Sequence, residues 1–123
     1  MSRLVSTVIA LGIVAAACSA NETVYEPVAG LECSTEQAWN EQSVILEDAE
    51  GLPTPAAAAE AGLARWEGID GAEVVVTDSI GRLSSLAGVL VVDGRRVVLA
   101  FPSPAPAGGW LVRTTTWCDG FAP

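Results

Sequence analysis

The stretch "SLAGVLVVDGRRVVLAF" (residues 85–101) decides how the chain is read. Two Val-rich runs flank Asp93-Gly94, a pair suited to the two consecutive positive φ angles of a type I′ turn. A two-residue loop fixes the register: Val92 opposite Arg95, Val91 opposite Arg96, Leu90 opposite Val97 and Val89 opposite Val98. Side chains alternate across a strand, so both faces of this hairpin are apolar away from its turn. One face can take a helix. The other needs a cover, from the N-terminal segment, from a partner or from the bend of the sheet.

The helix lies upstream, in "LPTPAAAAEAGLARWEG" (52–68). Thr54 suits the N-cap, Pro55 the first helical position, and the alanines supply propensity. Ala56, Ala59, Leu63 and Trp66 recur at helical spacing, and Gly68 stops the run. So small an apolar stripe must lie on a sheet to be stable. "AEVVVTDS" (72–79) reads as a short strand, and "GWLVRTTTWC" (109–118) as the last one. Simple alternation puts Trp110, Val112, Thr114, Thr116 and Cys118 on one face. Pro102, Pro104 and Pro106 read as a stiff hairpin connector in preference to a polyproline ligand. Ser34 with Gln37 matches a capping box and predicts a short helix over 35–41, followed by a strand at Val44, Ile45 and Leu46. The expected fold is α+β: one main helix packed on an antiparallel sheet of about four strands, in a single domain over 33–123. This order of elements resembles that of cystatin-like and NTF2-like domains, a likeness of fold that implies no function.

The start of the chain speaks to address. Met1 to Arg3 are basic, and Leu4 to Ala17 form an apolar run of 14 residues, short of the roughly 20 that span a bilayer. A basic end, an apolar middle and small residues make the order of a secretory signal. Ala15-Ala16-Ala17-Cys18 resembles the lipobox of bacterial lipoproteins. That resemblance implies a signal peptide over 1–17, removal before Cys18, and a lipid on the Cys18 sulfur, with fatty-acyl (palmitate) chains holding the protein at the outer face of the cell membrane. Ordinary secretory cleavage is the alternative, since Ala15-x-Ala17 and Cys18-x-Ala20 also have small residues in the right places. Residues 18–32 then form a lipidated cysteine and a tether. With Cys18 carrying lipid, Cys33 and Cys118 remain as a disulfide pair in an oxidising compartment; two buried free thiols are the alternative.

Composition narrows the chemistry. The 123 residues carry a net charge of −9, no His, and six basic residues that are all Arg. Residues 18–78 hold thirteen acids and one Arg, a balance that repels nucleic acid and anionic lipid headgroups. Without His or Lys, the ordinary serine, cysteine and lysine mechanisms lack a base or nucleophile. The thiols are assigned elsewhere, and no Gly-rich phosphate loop precedes a helix, so neither a metal nor a cofactor is expected. Glu47, Asp48 and Glu50 do not match a calcium loop and read as a solvated acidic turn. Arg95 and Arg96, pointing to opposite faces past the turn, and Trp39 are the expected ligand or partner contacts; Trp66, Trp110 and Trp117 are expected in the core. The functional expectation is a non-catalytic binding or interaction module in the cell envelope, meeting an envelope protein or a small ligand. The alternatives are a small carboxylate-dependent hydrolase and a structural or inhibitory subunit of an envelope complex.

Overall fold

The computed structural model describes residues 23–45 and 47–122. The expected signal peptide, the lipobox-like segment with Cys18, and Leu46 lie outside the described residues. The elements are β1 (Val24–Tyr25), β2 (Cys33–Ser34), β3 (Trp39–Ser43), α1 (Pro55–Ala61), a 3-10 turn (Ala64–Trp66), β4 (Ala72–Thr77), β5 (Ala87–Val92), β6 (Arg95–Pro104) and β7 (Trp110–Cys118). β1 and β2 pair in a small sheet, and the main sheet runs β3-β7-β6-β5-β4, antiparallel throughout. The fold is therefore the expected α+β arrangement, with five strands in the main sheet and a two-stranded one beside it. Among the described residues no helix is long and apolar enough to cross a membrane.

The hairpin turn forms as its sequence dictates, with Asp93 at φ 52° and Gly94 at φ 81°. Val92 pairs with Arg95 and Val91 with Arg96, after which the register shifts: Leu90 pairs with Val98 and Val89 with Leu99. Val97 is the extra residue of a β-bulge, which corrects the pairing expected from the turn alone. Val89, Leu90, Val97 and Val98 are all fully buried.

Register assigns the faces. Gly88, Ala100, Thr115 and Gln42 stand in one row across β5, β6, β7 and β3. This row faces α1, because a Cβ at Gly88 would sit 2.5 Å from the Ala59 carbonyl oxygen and 3.1 Å from Leu63 Cδ1. Thr54 caps the helix by accepting a 3.1 Å hydrogen bond from the Ala57 amide, and Pro55 occupies its first turn. The buried stripe is Ala58, Ala59, Leu63 and Trp66, while Ala56 is exposed. The α-helix ends at Gly62, six residues before Gly68, and a 3-10 turn carries the chain on to Trp66.

The opposite face carries Val89, Leu99, Thr116 and Cys118, and here the structure corrects the tether. From Val24 onward the segment folds over this face. Leu31 and Cys33 are fully buried, and the Glu32 amide donates to the Arg96 carbonyl at 2.7 Å. Tyr25 donates its hydroxyl to the Gln37 carbonyl at 2.9 Å. The hairpin's second apolar face is core, covered by the chain's own N-terminal segment. Cys33 and Cys118 form a disulfide across 85 residues, with both cysteines fully buried.

Three further expectations are corrected. The Ser34–Gln37 pair makes capping-type bonds, with the Ser34 amide donating to Gln37 Oε1 at 2.8 Å, but only a turn forms. The chain then pairs Trp39–Ser43 with β7, so the expected helix is a strand. Val44 and Ile45 lie past the end of β3 and are exposed, Ile45 at 80%. β6 runs through Pro102 to Pro104, on a stretch that pairs with β7 alone, where a missing N–H does no harm. Finally, Phe101 pairs with Thr114 but Pro102 with Val112, leaving Arg113 as a second bulge. That bulge splits the face expected on β7: Val112 lies on the helix side, and Thr114, Thr116 and Cys118 on the other.

Candidate functional site

The expected contact residues are placed apart. Arg96 is an internal clamp: its Nε donates to the Gly30 carbonyl at 2.8 Å, its amide to Glu32 Oε1 at 3.0 Å, and its guanidinium lies 3.5 Å from Glu32 Oε2. These contacts hold the N-terminal segment down. Arg95 is half-buried on the helix side beside Val92. Trp39 is 36% exposed at the start of β3, opposite Cys118. Glu47, Asp48 and Glu50 are exposed on the loop before α1.

A second anchor for the N-terminal segment is Glu26. Its carboxylate accepts from the Gly30 amide at 2.6 Å and from the Arg82 amide at 3.3 Å, with the Arg82 guanidinium at 3.4 Å. The Gly30 hydrogen bond is the main reason its pKa lies below the usual glutamate value, with the Arg82 bond and charge adding to it against the cost of burial.

What the structure brings together is a different set. Where α1 ends and β3 leaves β7, the helix layer stops short of the sheet edge and leaves an open hollow of about 280 Å³. It is lined by Gln42, Val44, Gly62, Arg65, Trp66, Val112, Arg113 and Thr115. Gly62 places its backbone against Val112, which forms one end. Arg65 lies on the 3-10 turn with its guanidinium carbon 5.6 Å from the centre of the Trp66 ring, within cation–π range. Trp66 is itself buried at 4% exposure, so it acts as a fixed support. Arg113 is the bulged residue of β7, and its carbonyl accepts from the Val44 amide at 3.0 Å. Gln42 and Thr115 face each other directly across the β3–β7 ladder.

Arg65, Arg113, Thr115 and Gln42 thus share one concavity with Val44 and Val112, and among the described residues no Asp or Glu lines it. None of Trp39, Arg95 and Arg96 belongs to it. Sequence reading missed Arg65 and Arg113, although each carries a signal: Arg65 is the single basic residue in 18–78, and Arg113 is the single charge in the last strand. Trp66 was assigned to the core, where it sits, but its second role as a support for Arg65 needs the three-dimensional arrangement.

Comparison of the chain with models of known protein families, with curated proteins and with solved structures finds no match in any of the three.

Proposed function

We propose that this protein is an extracytoplasmic lipoprotein whose folded domain is a non-catalytic binding module. The observation that carries the binding reading is the hollow lined by Arg65, Arg113 and Trp66, where charged and neutral donors converge beside apolar side chains, the usual make-up of a small-ligand site. The buried Cys33–Cys118 bridge supports the address, because such bonds persist outside the reducing cytosol. Cys18 is the anchor. The first described strand starts at Val24, six positions after Cys18, a separation of at most about 21 Å along the chain. The domain works close to the lipid surface and meets a small ligand or an envelope protein there.

The test has one arm for each half of the proposal. Cys18→Ala should abolish fatty-acid labelling and release the domain from membranes, and labelling that persists refutes the anchor. Titrating the fluorescence of the four tryptophans with small acids, envelope glycans and lipids should give saturable changes that Arg65→Gln and Arg113→Gln weaken. A flat response across the panel refutes the module.

A further inference from the structure

We infer that the Arg65–Arg113 hollow receives the carboxylate of a small acid whose remaining body is apolar. This rests on the binding-module reading and names the ligand class. The protein carries −9 overall, so an anion is repelled at long range, yet among the described residues the charged side chains lining this hollow are Arg65 and Arg113. A guanidinium matches a carboxylate edge with two parallel N–H bonds. Arg65 lies within cation–π reach of the Trp66 ring, a contact that favours this placement of its planar group before any ligand arrives. Arg113 owes its place to the bulge, which breaks the ordinary alternation of β7. Thr115 and Gln42, side by side in the ladder, add neutral donors for a second oxygen.

Size and polarity set the rest of the ligand. About 280 Å³ holds on the order of nine water-sized atoms at ~30 Å³ each. A nucleotide or an oligosaccharide is too large to enter fully. Val44 and Val112 give an apolar body something to bury against. The monoanion is favoured over phosphate for two reasons. The helix end at the hollow is the C-terminal end of α1, at Gly62, whose partial negative charge opposes a dianion more than a monoanion. The net charge of the protein does the same at longer range.

The test uses the natural mature chain, isotope-labelled, in micelles of an uncharged detergent. Backbone amide and arginine Nε–H signals are followed by NMR during titration with 3-phenylpropionate, its neutral amide 3-phenylpropionamide, and inorganic phosphate. The acid should shift Gln42, Gly62, Arg65, Arg113 and Thr115 saturably, and bind about tenfold more tightly than the amide or phosphate, the order expected for one charge-assisted contact. Arg65→Gln and Arg113→Gln should each reduce that preference, and the double variant should erase it. A short peptide ending in Phe, with its terminus free or amidated, distinguishes a chain end from a free acid as the source of the same chemistry; preference for the free terminus also supports the proposal. Equal binding of acid and amide overturns the carboxylate assignment while leaving a ligand site in place. Phosphate binding as tight as the acid overturns it in favour of a general anion site. Absence of shifts around the hollow with every probe overturns both this inference and the reading beneath it.

Discussion

Reduction of the Cys33–Cys118 bridge should cost a large share of the stability of the domain. The bond closes a loop across 85 residues, and the chain-entropy relation for a loop of that length removes about 15 cal/mol/K from the unfolded ensemble, or ~4.6 kcal/mol at room temperature. Domains of roughly 100 residues are stable by only ~5–15 kcal/mol in total. Both cysteines are fully buried; reduction removes no heavy atom, but it parts the bonded sulfurs to non-bonded distance and adds two hydrogens, so a repacking cost adds to the loss of the cross-link. The assay is guanidinium unfolding followed by tryptophan fluorescence, with the protein held oxidised or refolded in a thiol-free reductant. Cys18→Ala is used in both samples so that the cysteines of the pair are the only thiols. With a slope near ~3 kcal/mol/M for a domain of this size, the midpoint should fall by ~1.5 M on reduction. The slope itself should rise, because an uncrosslinked chain exposes more surface on unfolding. A midpoint shift below ~0.3 M, worth ~1 kcal/mol, would refute the reasoning: the 33–118 contact would then be enforced by packing alone.

Gly88→Ala should destabilise by ~2 kcal/mol, because the new Cβ would meet the Ala59 carbonyl, a backbone atom that cannot step aside as a side chain can; unchanged thermal unfolding would mean that α1 does not dock this closely. Thr116→Val should stabilise by ~1 kcal/mol, since Thr116 is 4% exposed and its Oγ1 has no hydrogen-bond partner among the described residues; a loss of similar size in chemical denaturation would show that the hydroxyl is bonded. Glu26→Gln tests the N-terminal clamp by pH. The folded-state pKa of Glu26 lies below its ordinary value of 4.5, so its contribution is complete above the unfolded-state pKa and is lost as pH falls through the folded value. The variant should therefore be less stable by ~1 kcal/mol at pH 7, and the gap should close as pH falls through the folded-state value; a gap that does not narrow with falling pH contradicts the assignment.

The parts of this fold legible in the sequence are those encoded by neighbours. Asp93-Gly94 specifies its turn, and Thr54-Pro55 its helix start, through contacts within four residues. The bulges at Val97 and Arg113 were not legible, because they depend on how two strands are drawn together over their whole length. The N-terminal segment shows why a sequence without periodicity can still be ordered. Residues 23–32 form almost no regular structure of their own, and are fixed by single long-range contacts: Glu26 with Arg82, Glu32 with Arg96, and Leu31 in the core. Two expectations were thereby linked. The hairpin had one apolar face too many, and the supposed tether was the cover for it. Ser34 and Gln37 formed the bonds of a capping box, yet the free edge of β7 recruited the following residues into β3, a tertiary gain that outweighed a weak local preference.

The hollow has a physical origin in the same irregularities. A helix that ran on to Gly68 would cover the helix side of β7, and a regular β7 would keep Thr114 in phase with Val112. Instead α1 ends at Gly62, where a side chain would collide with Val112. The β3 ladder ends at Ser43, with one last bond from the Val44 amide to the Arg113 carbonyl, and Arg113 is inserted where alternation breaks. Each departure removes cover from one corner of the sheet, and two of the residues left at that corner are cations in an otherwise acidic molecule. Stability alone favours filling such a gap with apolar side chains, since undercovered sheet forfeits burial. Arg65 and Arg113 contribute little burial there, and their mutual repulsion is a cost. A corner built against both terms is what the proposed ligand site predicts, whereas Arg96 beside the hairpin turn serves to clamp the N-terminal segment.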